Sequence, residues 1–183
     1  MNQKPNPNGA NLIIYRFRDG VLEILLQKSV SRKPRNFWEL PGGGVEPVDE
    51  NSFCRAAVRE TSEEIGWFVR TQDCILIASL IQKYRLTDSS FGDGNLEVFC
   101  CEDEDIEIGN LVLQKDEVDK VRWWPIITAM FAEDNEDDDF VSVAHRRMLA
   151  MLFNKMADNR SSIHTGWLRD PVPTIFGTVG IAA

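Results

Sequence analysis

Residues Cys54 to Phe68 read CRAAVRETSEEIGWF, and the stretch before them, Leu40 to Pro47, reads LPGGGVEP. In a helix, Glu60, Glu63 and Glu64 fall at i, i+3 and i+4, so three carboxylates share one face. Like charges at that spacing repel, and such a face calls for a cation above it. Three hard oxygen donors suit Mg²⁺ or Mn²⁺, ions held by a few carboxylates together with substrate phosphates. Glycines at 42, 43 and 44 let a main chain approach a metal or a phosphate closely.

Together the two stretches resemble the Nudix box, G-x5-E-x7-R-E-U-x-E-E-x-G-U, where U is a bulky apolar residue. Gly44 and Glu50 fit the first half; Arg59, Glu60, Glu63, Glu64, Gly66 and Trp67 fit the second. Two departures stand out. Eight residues, Asn51 to Val58, separate Glu50 from Arg59 where the family has seven, which reads as a one-residue insertion before the helix. Thr61 occupies a position the family fills with Ile, Leu or Val, a small packing change.

The resemblance implies an α+β fold, the Nudix α/β/α sandwich with a mixed β-sheet. It also implies hydrolysis of a nucleoside diphosphate linked to another moiety, by metal-assisted water attack at phosphorus. Glu60, Glu63 and Glu64 would bind one to three Mg²⁺ (or Mn²⁺) ions, with the Gly43 carbonyl completing the shell and Arg59 fixing a carboxylate rotamer. Glu60 is alternatively the base that deprotonates water. A further Glu after the box serves as base or ligand in many members; Asp116 and Glu117 are the candidates here, and Glu97 is another. Tyr84 lies 17 residues beyond Trp67, similar to a spacing that marks dinucleoside polyphosphate hydrolases. No proline stands at the spacing of ADP-sugar hydrolases. The favoured substrate is therefore a nucleotide or dinucleoside polyphosphate, with an ADP-ribose type nucleotide sugar second. A nucleotide-sensing module without activity is the rival of another class, and the three intact glutamates argue against it.

The remaining features bound this picture. A chain of 183 residues, 43% apolar and 27% charged, suits one soluble domain. Its net charge of −9 argues against bulk nucleic-acid binding, although a metal and a few cations can reverse the field locally. Lys28, Arg32, Lys33 and Arg35 form the clearest basic cluster and could clamp distal phosphates, or simply form a solvated loop. No apolar run nears the roughly 18 residues of a membrane span. The start, MNQKPNPNGA, lacks a signal-peptide core, and a cytoplasmic protein with reduced thiols is expected. His145 and His164 are too far apart in sequence for an expected zinc site.

The expected layout is a mobile tail over residues 1–9, a domain over 10–157 and a C-terminal tail over 158–183. That last segment would pack on the domain or on a second subunit. Strands are expected at Asn11–Phe17 and Val21–Gln27 around Asp19-Gly20, a strong hairpin signal, then at 37–40, 68–71, 74–84, 96–101 and 120–125. Asp88 to Asn95 reads as a polar loop. Helices are expected from Ser52, a plausible N-cap, to Gly66, over Ile126–Phe131, and over about 141–156.

Overall fold

The computed structural model describes residues 8–30, 37–85, 91–132 and 141–161. Among these residues seven strands build one mixed sheet: β1 (Gly9–Arg18), β2 (Val21–Ser29), β3 (Trp38–Glu39), β4 (Gly42–Gly44), β5 (Ile75–Arg85), β6 (Phe91–Glu102) and β7 (Val118–Pro125). β1 runs parallel to β6 and antiparallel to β2 and β4; β5 closes one side against β6, and β7 pairs with β2. The helices are α1 (Phe53–Ile65), α2 (Ile126–Phe131) and α3 (Val143–Ser161).

Local chemistry explains the turns. Asp19 and Gly20 both have positive φ, 52° and 77°, the twist a two-residue hairpin needs. The Ser52 side chain accepts from the Arg55 N–H at 3.3 Å and caps α1. Gly66, at φ 70°, ends it in the left-handed conformation. Thr61 is buried and donates its hydroxyl to the Ala57 carbonyl at 2.8 Å. Its polar atom is therefore satisfied inside the helix, and Thr is tolerated at an apolar position.

β1 is buried on both faces, as a central strand covered by helices must be. Leu12, Ile14, Leu25, Ala56, Ala57 and Ile65 pack the α1 face. Ile13, Ile24, Leu26, Trp38, Trp124, Leu149 and Leu152 pack the face under α2 and α3. This is the expected α/β/α sandwich. Among the described residues no helix is long and apolar enough to cross a membrane.

Three expectations are corrected. Residues 68–71 form no strand: Phe68 is 71% exposed, and a local ion pair from Arg70 to Asp73 (2.7 Å) closes a 3-10 turn over Thr71–Asp73 instead. Phe91 to Asn95 belong to β6 rather than to a loop, because they pair with Arg85 to Ile81 and Lys83 reaches Asp93 at 2.5 Å. Cross-strand pairing there overrides the low strand propensity of Gly92, Asp93 and Gly94. Lastly, Gly42–Gly44 is a short strand on β1 and not a free turn.

Candidate active site

The glycine strand brings the site together. Gly42, Gly43 and Gly44 pair with Asn11, Ala10 and Gly9 of β1, which lays their backbone directly beneath α1. A Cβ on Gly43 would fall 2.5 and 2.7 Å from the two carboxylate oxygens of Glu60. Gly42 has φ 148°, and a Cβ there would meet the backbone of β1, including Asn11 Cα at 2.8 Å. Only glycine allows this approach. Asn11 holds the preceding chain by donating to the Pro41 carbonyl at 3.3 Å, and the Leu40 N–H donates to buried His145 Nδ1 at 3.2 Å.

α1 presents its acids to this strand. The Glu64 carboxylate accepts from the Gly42 N–H at 2.9 Å and from the Gln27 side chain. Burial pushes its pKa up to about 7; those two donors oppose the rise, while the charges of Glu60 and Glu39 add to it. Glu60 is also raised, first by burial and only partly offset by Arg59. Glu63 is 52% exposed and turned toward Arg59 at 2.8 Å.

Arg59 is a hub. It donates from Nε and Nη2 to the two oxygens of Asp49 at 3.1 Å each, and from Nη2 to the Gly44 carbonyl at 2.8 Å. Ion pairs reach Glu60 at 3.0 Å and Glu63 at 2.8 Å. Asp49, and not Glu50, is thus the acid that clasps Arg59. Burial opposes ionisation of Asp49, but its bonds to Arg59 and to the Glu46 N–H, with the charges of Arg59 and Arg55, outweigh it and hold the carboxyl below its usual range. Glu50 points to solvent and pairs with Arg55. The extra residue before the helix is absorbed by Glu50 and Asn51, both at positive φ, 53° and 61°.

The sequence reading missed three residues at the site. Asp49 had a signal in Glu46-Pro47-Val48-Asp49, where an acidic residue three places after the cap closes a capping box. Gln27 and Glu39 face each other across β2 and β3, and both are buried. Their signal is a polar residue next to buried apolar neighbours, at Leu26 and at Trp38 and Leu40.

The other expected residues are placed less centrally. Glu97 is half-buried on the α1 face, opposite Ala10, which in turn pairs with Gly43. Asp116 and Glu117 are exposed in the segment before β7. Glu117 accepts through its carbonyl from the Val30 N–H at 2.8 Å, and the Gln114 N–H bonds the Glu64 carbonyl at 2.9 Å, so this segment packs on the site end of α1. Tyr84 lies in β5 opposite Gly92, in the part of the hairpin that extends past Gly9 of β1. Arg32, Lys33 and Arg35 lie outside the described residues; the flanking Ser29 and Phe37 are joined by a backbone bond of 3.4 Å. The tail from 162 onward, with Trp167, lies outside them too.

Among the described residues no three acidic, His or Cys side chains converge to enclose a metal ion in this conformation, since Arg59 engages Glu60 and Glu63. The donor set nonetheless fits a hard divalent cation. Two carboxylates, Glu64 buried and Glu60 half-buried, are pushed toward neutrality beside a backbone cradle that a Cβ would fill, and a cation would relieve that charge.

A mixed sheet between helices, with an acid-faced helix closed on a glycine strand, defines the class. The NUDIX domain model matches residues 5–144; the chain belongs to the Nudix hydrolase family. Comparison with curated proteins gave no match. Among solved structures, the chain resembles the NUDIX domain of Shewanella oneidensis NrtR complexed with ADP ribose (14% identity, TM-score 0.64, covering 84% of this chain and 90% of that one). It also resembles a MutT/nudix family protein from Enterococcus faecalis (19%, TM-score 0.62, 86% and 64%). A third is a C. elegans Ap4A hydrolase (21%, TM-score 0.58, 82% and 98%). At these identities the likeness shows the fold alone.

Proposed function

We propose that the protein is a divalent-metal-dependent pyrophosphohydrolase acting on a nucleotide or dinucleoside polyphosphate. The observation that carries this reading is the Glu60 and Glu64 pair against Gly42 and Gly43, with both carboxyls raised and Gly42 donating to Glu64. Glu60, Glu63, Glu64 and the Gly43 carbonyl would hold Mg²⁺ or Mn²⁺. When bound, the ion would neutralise phosphoryl charge and make a water more acidic.

The chain's own groups supply the rest. Asp49 and Arg59 keep Glu60 in place, while Gly42 and Gln27 keep Glu64 in place. Water forms a new bond to phosphorus, the bridging P–O bond breaks, and the proton passes to a carboxylate, Glu60 or Glu117. Arg32, Lys33 and Arg35 would receive distal phosphates and Tyr84 the base. The structural neighbour bound to ADP ribose favours a nucleotide-sugar substrate as the second reading.

The test is release of phosphate or nucleoside monophosphate from a panel of dinucleoside polyphosphates, nucleoside triphosphates and ADP-ribose, with Mg²⁺ or chelator. Turnover on one of these, lost with chelator and lowered about a thousandfold by Glu60→Gln with Glu64→Gln, is the expected result. Turnover indifferent to both treatments overturns the metal reading. Tight nucleotide binding without turnover supports a sensor instead.

A further inference from the structure

Cys54 and Cys74 take no part in the acidic site, yet the fold places them together. Cys54 is the second residue of α1, and Cys74 stands immediately before β5. The Cys74 N–H donates to the Thr71 carbonyl at 3.2 Å, the same oxygen that the Cys54 thiol reaches. Each sulfur also lies 3.6 Å from a carbonyl of the connecting turn, Cys54 from Thr71 and Cys74 from Arg70. Both thiols thus border one turn, Arg70 to Cys74. Both residues are half-buried, within reach of small solutes. Arg55 to Asp73, with Arg59, Glu60, Glu63 and Glu64 among them, lie between the two.

The two thiols are chemically unequal. Burial raises the Cys54 thiol and Glu97 adds to that, with the neighbouring Cys74 only in partial opposition. Burial pushes Cys74 up to about 12, and the neighbouring Cys54 reinforces it. Cys54 also sits in the first turn of a 13-residue helix, whose free N–H groups favour a thiolate. Cys54 therefore ionises before Cys74 and is the nucleophile. Cys100 and Cys101 differ: both are buried, and they point to opposite faces of the sheet.

We propose that Cys54 and Cys74 form a reversible disulfide by exchange with a low-molecular-weight disulfide such as oxidised glutathione. The Cys54 thiolate attacks a glutathione sulfur, forming a mixed disulfide and expelling one glutathione. Cys74 then loses its proton to solvent, attacks the Cys54 sulfur and expels the second. The protein gives up two electrons, and the small disulfide is reduced to two thiols. The bridge joins the start of α1 to the start of β5 and closes a loop around the acid-bearing helix. It is independent of the hydrolase reading.

The test uses the full chain with oxidised glutathione at pH 8, acid quench, alkylation and peptide mass mapping. Two of the four thiols disappear into a Cys54–Cys74 linked peptide, and Tm rises on the order of 5–10 °C, reversed by dithiothreitol. Cys74→Ser accumulates glutathione on Cys54, whereas Cys54→Ser leaves Cys74 unmodified. Four free thiols after an exposure that fully oxidises a model dithiol overturn the proposal. So do a bridge between other cysteines, a bridge that lowers Tm, or glutathione settling on Cys74 in Cys54→Ser.

Discussion

Asp49 and Glu64 are both nearly sealed from solvent, at 2% and 7% exposure, and both contact the glycine strand or the groups that hold it. Their electrostatics run in opposite directions. Asp49 meets a bidentate guanidinium and the Glu46 N–H, and is held ionised. Glu64 meets only neutral donors, with Glu60 and Glu39 close by, and is pushed up to about 7. One side of Arg59 is thus a clasp complete in itself. The other side sets Glu64 beside Glu60 and Glu39, with the neutral donors Gly42 and Gln27 on its carboxylate.

The largest effect expected from this contrast is at Glu64. Glu64→Gln should lower metal-dependent turnover about 100-fold or more, yet stabilise the metal-free protein at neutral and higher pH. The sign follows from linkage. The folded-state pKa lies above the ordinary carboxylate value, so the folded chain binds the extra proton between about 4.5 and 7. The stability contributed by this group is full below about pH 4.5 and is lost as pH rises to about 7, on the order of 3 kcal/mol. Urea melts of chelated wild type and Glu64→Gln across that range isolate the term as their difference. A difference flat with pH would show that Glu64 ionises freely and needs no cation.

A smaller effect is expected at the clasp, and it should not depend on metal. Asp49→Asn keeps the shape and removes the charge that Arg59 grips. A loss of about 2–3 kcal/mol is expected, the scale of hydrogen bonds to charged groups, equal with chelator and with Mg²⁺. Arg59 would then lean further onto Glu60 and Glu63, so metal affinity should fall as well. Calorimetric titration of Mn²⁺ beside the denaturant melt separates the two consequences. Unchanged stability would mean that Glu60 and Glu63 suffice as partners for Arg59.

What could be read from the sequence was whatever its own neighbours determine. Asp19-Gly20, the Ser52 cap, the Gly66 stop and the i, i+3, i+4 acids each express a local rule, and the structure bears out the elements built on them. What escaped depends on partners far along the chain. Gly92 to Gly94 are strand because Gln82 to Tyr84 pair with them, and Phe68 is not strand because no strand among the described residues pairs with it. Gln27 and Glu39 face each other only after β2 and β3 pair, so neither announces itself as a neighbour of Glu64.

Glu50 is where a local pattern misled, and it yields the smallest expected effect. It occupies the box position by counting, but counting ignores that Glu50 and Asn51 both turn left-handed and carry the chain past the helix entrance. The carboxylate that matters is therefore one residue earlier, where the 3-10 turn buries Asp49 and aims it at Arg59. Glu50 is left in a solvent-exposed pair with Arg55, and such pairs contribute between zero and about 1 kcal/mol. Glu50→Gln should accordingly change stability by less than about 0.5 kcal/mol and leave metal affinity and turnover within about twofold. If it instead cost as much as Asp49→Asn, the two acids would share the grip on Arg59 and the clasp would extend across the insertion. A neutral result assigns the role to Asp49, because the same measurement then separates the buried acid that grips Arg59 from its exposed neighbour paired with Arg55.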